Sequence, residues 1–141
     1  MPIQQSDVVY TAVATAENGR DGRVSTDDGK LDVVVNPPKE LGGSGAGTNP
    51  EQLFAAGYSA CFQGALGVVA RQEGADVSGA TVTAEVGIGK NDEGFGIVVG
   101  ISAHIPNVDE ARALELIEKA HEVCPYSKAT RGNITVTLKV S

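Results

Sequence analysis

The apolar and polar positions along the chain follow a strand period first, then a helical one, and then alternate between the two. Residues 8–16, rich in Val, Thr and Ala with partial alternation, predict a strand. Glu17-Asn18-Gly19-Arg20-Asp21-Gly22 is turn chemistry, because Asn-Gly and Asp-Gly supply the positive φ angles that tight turns need. Residues 23–26 and 31–35 read as the next strands, split by Asp27-Asp28-Gly29, so the opening is a meander of short antiparallel strands. Residues 36–48 carry Pro37-Pro38 and four glycines and read as loop, long enough to suggest a function.

Asn49-Pro50-Glu51-Gln52 is a helix start: Asn49 caps, Pro50 suits the first helical position, and Gln52 completes a capping-box pattern. The helix should run to about Glu73 and stop at Gly74. Residues 53–70 are apolar almost all the way round, which predicts burial on every side. In so small a domain that implies either a sheet wrapped over the helix or a second copy of the protein. Gly57, Ser59, Gln63 and Gly64 interrupt the run too often for a membrane span. Residues 81–88 and 94–105 alternate and are joined by Lys90-Asn91-Asp92-Glu93, which predicts a hairpin. A second helix spans 107–123, with Asp109 and Glu110 in its first turn and an apolar stripe of Ala111, Leu114, Ile117 and Ala120 or His121. Pro125 interrupts it, a short turn covers 128–132, and a last strand fills 134–140. The order describes one α+β domain over residues 1–141, with antiparallel sheet.

Composition narrows the function classes. The 141 residues suit a single domain with its own core. A net charge of −7 argues against a nucleic-acid surface. Aromatic residues make up only 4%, against 18 glycines and many Ala and Val, so elements should pack closely. Two cysteines are too few for a secreted disulfide scaffold, and residues 1–5 lack the charged, apolar character of a leader. The expectation is a cytoplasmic protein with no nucleic-acid partner and no membrane insertion.

The cysteines carry the candidate chemistry. Cys61 lies in the apolar helix, within Gly57-Tyr58-Ser59-Ala60-Cys61-Phe62, where a free cysteine also packs well as a small hydrophobe. Cys124 ends the second helix at a proline, where the chain should open towards solvent. Cys61, Cys124, His104 and His121 together offer four zinc donors, but their spacing matches no zinc pattern, and no metal is expected. His121, one turn from Cys124, could serve as the base of a Cys–His nucleophile, without an evident oxyanion-hole glycine pattern.

The run from Thr48-Asn49-Pro50-Glu51-Gln52-Leu53-Phe54 to Ala60-Cys61-Phe62, followed by Val123-Cys124-Pro125-Tyr126-Ser127 and Ala129-Thr130-Arg131-Gly132, resembles the organic hydroperoxide resistance (Ohr) family. That family belongs to the larger group that includes the osmotically inducible protein OsmC. The resemblance spans nearly the whole chain; Lys128 departs from it, where the family more often has Asn. It implies antiparallel sheets wrapped on two main helices in an intertwined homodimer, with two active sites at the subunit interface. It implies a thiol-dependent peroxidase that reduces organic hydroperoxides to alcohols. Cys61 would be its catalytic cysteine, Cys124 the partner in a disulfide, and Arg20 and Glu51 the charged residues of the site. No cofactor would be bound; the reductant would be an external dithiol, above all a lipoyl group carried on a protein.

The residues make chemical sense of that resemblance. A thiol with a pKa of about 8.5 is only a few per cent thiolate at neutral pH, and burial lowers that fraction. A permanently charged Arg20 on a glycine-flanked turn would favour the thiolate, and Glu51 would hold the guanidinium by a bidentate pair. Phe54, Phe62 and Tyr126 would wall an apolar pocket. Glu51 and Cys61 lie ten residues apart, about 15 Å along a continuous helix and on different faces. Either the helix breaks near Gly57, or Glu51 reaches the site from the partner's antiparallel copy. The dimer is the favoured way out.

Overall fold

A computed structural model describes residues 2–141. The chain divides into two compact units, one ending at Pro50 and one running from Glu51 to Ser141.

The amino-terminal unit is a three-stranded antiparallel meander of β1 (Ala14–Glu17), β2 (Gly22–Thr26) and β3 (Asp32–Val35). Asn18 and Gly19 have φ of 62° and 60°, the double positive that Asn-Gly supplies in hairpin turns. The return is so tight that a Cβ on Gly22 would lie 1.9 Å from the Glu17 carbonyl oxygen. Asn18 Nδ2 donates to the Asp21 carbonyl at 2.8 Å, and Asn36 Nδ2 to the Asp21 carboxylate at 2.7 Å. These bonds close the turn that carries Arg20.

The first strand is shorter than its pattern suggests. The ladder begins at Ala14 opposite Thr26, and its last bond outward runs from the Asp27 N–H to the Val13 carbonyl. Beyond Thr26 the facing strand turns away through Asp27-Asp28-Gly29, so β-prone residues 8–12 have no strand opposite them among the described residues. Val9 is accordingly 99% exposed. The 36–48 loop holds a 3-10 turn at Lys39–Leu41. Its ends are pinned together, Asn36 N–H donating to Thr48 and Thr48 N–H to Val34.

The carboxy-terminal unit contains α1 (Pro50–Glu73), β4 (Thr81–Asn91), β5 (Gly94–His104), α2 (Glu110–Val123), α3 (Pro125–Thr130) and β6 (Val136–Val140). β4 and β5 form the expected hairpin, longer than its alternation indicates, with pairing continuing to Asn91 opposite Gly94. β6 corrects the antiparallel expectation: it pairs with β5 in parallel, Val99 opposite Val136. The physical reason is connectivity. α2 and α3 carry the chain back to the starting end of β5, and a strand entered after such a crossover runs parallel.

One cluster of buried side chains fills the unit: Tyr58, Phe62, Leu66 and Val69 from α1, Val99, Ile101 and Ala103 from β5, and Ala113, Leu116, Ile117 and Ala120 from α2. The α2 stripe is therefore displaced from the expected one. Ala111 and Leu114 are exposed, because the i, i+3, i+4, i+7 set beginning at Ala113 presents the wider apolar face. Nor is α1 buried on every side within the chain. Gln52, Ala56, Ala60, Gln63 and Gly64 are exposed and form an outer face of mostly small residues. By length and hydropathy alone α1 is the one described helix that would suffice to cross a membrane, but its large side chains from Tyr58 to Val69 are packed in the core. Glu73 at its end pairs with Arg112 at 2.8 Å and with Lys119, tying α1 to α2.

Candidate active site

α1 is unbroken through Gly57, which removes the broken-helix way of bringing Glu51 to Cys61. Cys61 sits half-buried in the middle of this helix. Cys124 is at once the last cap of α2 and the first cap of α3. Its N–H donates to the Ala120 carbonyl at 2.8 Å, and its carbonyl accepts from Lys128 N–H at 3.0 Å. Pro125 starts α3 instead of merely ending α2, as proline at a first helical position can. The chain bends at Cys124, and the elbow encloses it. Cys124 is 0% exposed, which overturns the expectation of a cysteine open to solvent.

The elbow brings the two free thiols together, 3.5 Å apart, with the Cys124 S–H donating to the Cys61 sulfur. A disulfide needs about 2.05 Å between sulfurs, so closure takes only a small movement. Burial pushes the Cys61 thiol up, and the neighbouring Cys124 thiol adds to that direction. One group opposes it: the backbone N–H of Tyr126 favours the thiolate. Tyr126 is the second residue of α3, where N–H groups have no partner within the helix and remain available.

Phe54, Tyr58 and Tyr126 form an aromatic group around the elbow, with ring centroids 5.7 Å apart for the two tyrosines and 6.1–6.2 Å from Phe54 to each. The Tyr126 ring lies against the bare backbone of Gly57, where a Cβ would approach its hydroxyl to 2.9 Å. Phe62 is turned about 100° from Cys61 around the helix and is fully buried in the core. An apolar hollow of about 370 Å³ on the β4–β5 hairpin is lined by none of these aromatic residues and by neither cysteine.

Behind the elbow lies a group of hydroxyls. Tyr58 Oη is 2.9 Å from Ser127 Oγ and 3.0 Å from Thr130 Oγ1, and His121 Nδ1 is 2.8 Å from Ser127 Oγ. Burial pulls the His121 pKa down, Arg131 lowers it further, and Glu122 acts against both. Arg131 also donates to the His121 carbonyl at 2.8 Å, at the end of α2. His104 is engaged elsewhere, with its Nδ1 3.0 Å from the Ser141 carbonyl.

Arg20 is exposed in the β1–β2 turn of the amino-terminal unit, and Glu51 is half-buried in the first turn of α1. Sequence reasoning missed Tyr58, Ser127, Thr130 and the Tyr126 N–H. Tyr58 looked like one more apolar helix position, and its partners lie 69 and 72 residues away. The available signal was Ser127 and Thr130 at three-residue spacing directly after a proline.

Residues 42–139 match the family model of OsmC-like proteins. The chain is 53% identical over 136 residues to the organic hydroperoxide resistance protein of Xanthomonas axonopodis pv. citri, covering 95% of this chain and 96% of that one. Among solved structures it resembles an organic hydroperoxide resistance protein from Elizabethkingia anophelis, with a TM-score of 0.89, 53% identity and coverage of 95% and 97%. The OhrB protein of Bacillus subtilis gives a TM-score of 0.85 at 43% identity, with coverage of 94% and 98%. With these matches over nearly its full length, the chain belongs to the OsmC-like family and, within it, to the organic hydroperoxide resistance proteins.

Proposed function

We propose that the protein is a thiol-dependent peroxidase that reduces organic hydroperoxides to alcohols. Its relatives are named organic hydroperoxide resistance proteins, which supports a role in peroxide detoxification. The observation that carries the finer reading is the pair of free thiols 3.5 Å apart, one half-buried and one fully buried. In the proposed cycle the Cys61 thiolate attacks the hydroxyl oxygen of R–O–O–H. The O–O bond breaks, and the alkoxide leaves and takes a proton to become the alcohol. Cys61 is left as a sulfenic acid. Cys124 attacks that sulfur, water leaves, and a Cys61–Cys124 disulfide forms. An external dithiol, such as a lipoyl group on a carrier protein, then exchanges with the disulfide and restores both thiols.

Cys61 needs help to ionise, because its surroundings in this unit push its pKa up on balance. Arg20 is assigned that task and the stabilisation of the departing alkoxide, with Glu51 orienting the guanidinium. Phe54 and Tyr126 are assigned to the organic part of the substrate. The enzyme is read as a cytoplasmic homodimer without a bound cofactor. The small outer face of α1, at Ala56, Ala60 and Gly64, supports the dimer by allowing close approach of a second copy.

Peroxide consumption with dihydrolipoamide or glutathione tests the assignment. Cys61→Ser should abolish turnover, whereas Cys124→Ser should still give one sulfenic acid per site. Full turnover by Cys61→Ser refutes the mechanism. Mixing Glu51→Ala and Cys61→Ser subunits should recover activity if the site is shared; a fully active monomer in sedimentation speaks against the dimer.

A further inference from the structure

The hydroxyls behind the elbow admit one proton order that satisfies every bond. Thr130 Oγ1 donates to the Ser127 carbonyl at 3.2 Å, so its oxygen accepts from Tyr58 Oη. A phenol has a single hydroxyl proton. With that proton directed at Thr130, the 2.9 Å contact between Tyr58 and Ser127 must be donated by Ser127. Ser127 then has no proton left for His121, and the 2.8 Å contact there must be donated by His121 Nδ1–H. The opposite order turns Thr130 towards Tyr58 and leaves the Ser127 carbonyl with only the Arg131 N–H.

The placement of this chain matters as much as its direction. Tyr58 is three residues before Cys61 on α1, and Ser127 is three residues after Cys124 in the elbow. The bond between Tyr58 and Ser127 and the contact between Cys61 and Cys124 therefore cross-link the same two elements, one turn apart. Tyr58, Ser127 and Thr130 are all buried, so water cannot replace a lost member.

We propose that this ordered chain, from His121 Nδ1–H through Ser127 and Tyr58 to Thr130, is a positioning device that holds Cys124 against Cys61 for disulfide closure. Tyr58, Ser127, Thr130 and His121 are positioning residues; none is assigned to the peroxide. The proposal rests on the reading that these cysteines form a disulfide.

Two measurements on the reduced protein test it without any peroxide. Two-bond proton–nitrogen correlations on isotope-labelled protein should show neutral His121 as the Nδ1–H tautomer. Tyr58→Phe frees the Ser127 proton to turn towards His121, so the tautomer should move to Nε2–H. A chromogenic aryl disulfide should give two phases of release, the first as Cys61 is capped and the second as Cys124 displaces the cap. The second phase should slow at least about tenfold in Tyr58→Phe, which removes both buried hydrogen bonds from Tyr58, while the first changes less. Thr130→Val should move the tautomer the same way, and it decides the matter if Tyr58→Phe fails to fold. It should slow the second phase by less, because Tyr58 then donates to Ser127 and one of its two bonds remains. An Nε2–H tautomer in the wild type, or an unchanged second phase in the folded variants, overturns the proposal. A wild type with no second phase instead removes the disulfide reading on which it stands.

Discussion

The two units of the chain hold their shapes by different means. In residues 2–50 only Val35 and Asn49 are buried, and the meander stands on its ladder bonds and on a surface pair, with Arg23 Nε donating to Asp32 at 2.6 Å. In residues 51–141 a continuous cluster from Tyr58 to Cys124 excludes water, and buried hydroxyls lock the elbow. Local stability follows buried apolar contact and protected hydrogen bonds. Within one chain, the unit that carries the sulfurs is thus the better protected and the unit that carries Arg20 the less protected. Two thiols tolerate little error in position if they are to bond. A guanidinium on a long side chain tolerates much more.

Core substitutions should break this contrast most severely. Phe62→Ala or Leu116→Ala should cost about 3–5 kcal/mol in denaturant unfolding, whereas Val34→Ala, on the exposed side of β3, should stay within about 0.5 kcal/mol. Equal losses in the two units would erase the distinction.

Arg20→Ala sharpens it on the side of activity. Peroxide oxidation of Cys61, followed by stopped flow, should slow about a hundredfold, and its pH profile should move upward because burial already raises that thiol. Lysine should recover part of the rate, since it keeps the charge without the planar fork. An unmoved pH profile in Arg20→Ala would refute the role.

Gly57→Ala should have a smaller effect. Its methyl group would displace the Tyr126 hydroxyl, now 2.9 Å from the Cβ position, and loosen the N–H that faces Cys61. Cys61 alkylation by iodoacetamide should shift to slightly higher pH, with the fold intact by circular dichroism. No shift would separate the ring's seat from the N–H it is expected to aim.

Much of this was legible in the chain, and the failures have physical causes. Asn49-Pro50 and Gly74 bracketed α1 well because capping is a local property. The two cysteine blocks stood out through the family resemblance they carry. The direction of β6 did not, since alternation marks a strand but not its orientation, which depends on the crossover through α2 and α3. Pro125 was ambiguous: the residue that ends one helix opens another. Residues 8–12 carried strand propensity with no strand to pair to among the described residues. Tyr58 was hidden because an apolar run conceals a hydroxyl whose partners are far away in sequence.

The smallest expected effect concerns His121, whose pKa is pulled below its ordinary value by burial and then by Arg131. A histidine held neutral in the fold contributes stability above the unfolded pKa of about 6.5. That contribution is lost as pH falls below it towards the folded value. Unfolding measured between neutral and mildly acidic pH should therefore slope less steeply in His121→Gln than in the wild type. Equal slopes would rule out His121 as the source.

Cys61 and Cys124 lie 63 residues apart in the chain while their sulfurs nearly touch. A bond between them would tie a large loop in the unfolded polypeptide and withdraw about 4 kcal/mol of its freedom. In the proposed cycle, each turnover would thus alternate a stapled molecule with an unstapled one. The oxidised protein should melt at a higher temperature and resist proteolysis longer than the reduced one. Resistance to unfolding then becomes a record of redox history, written in the topology of the chain and cleared by the next dithiol to arrive.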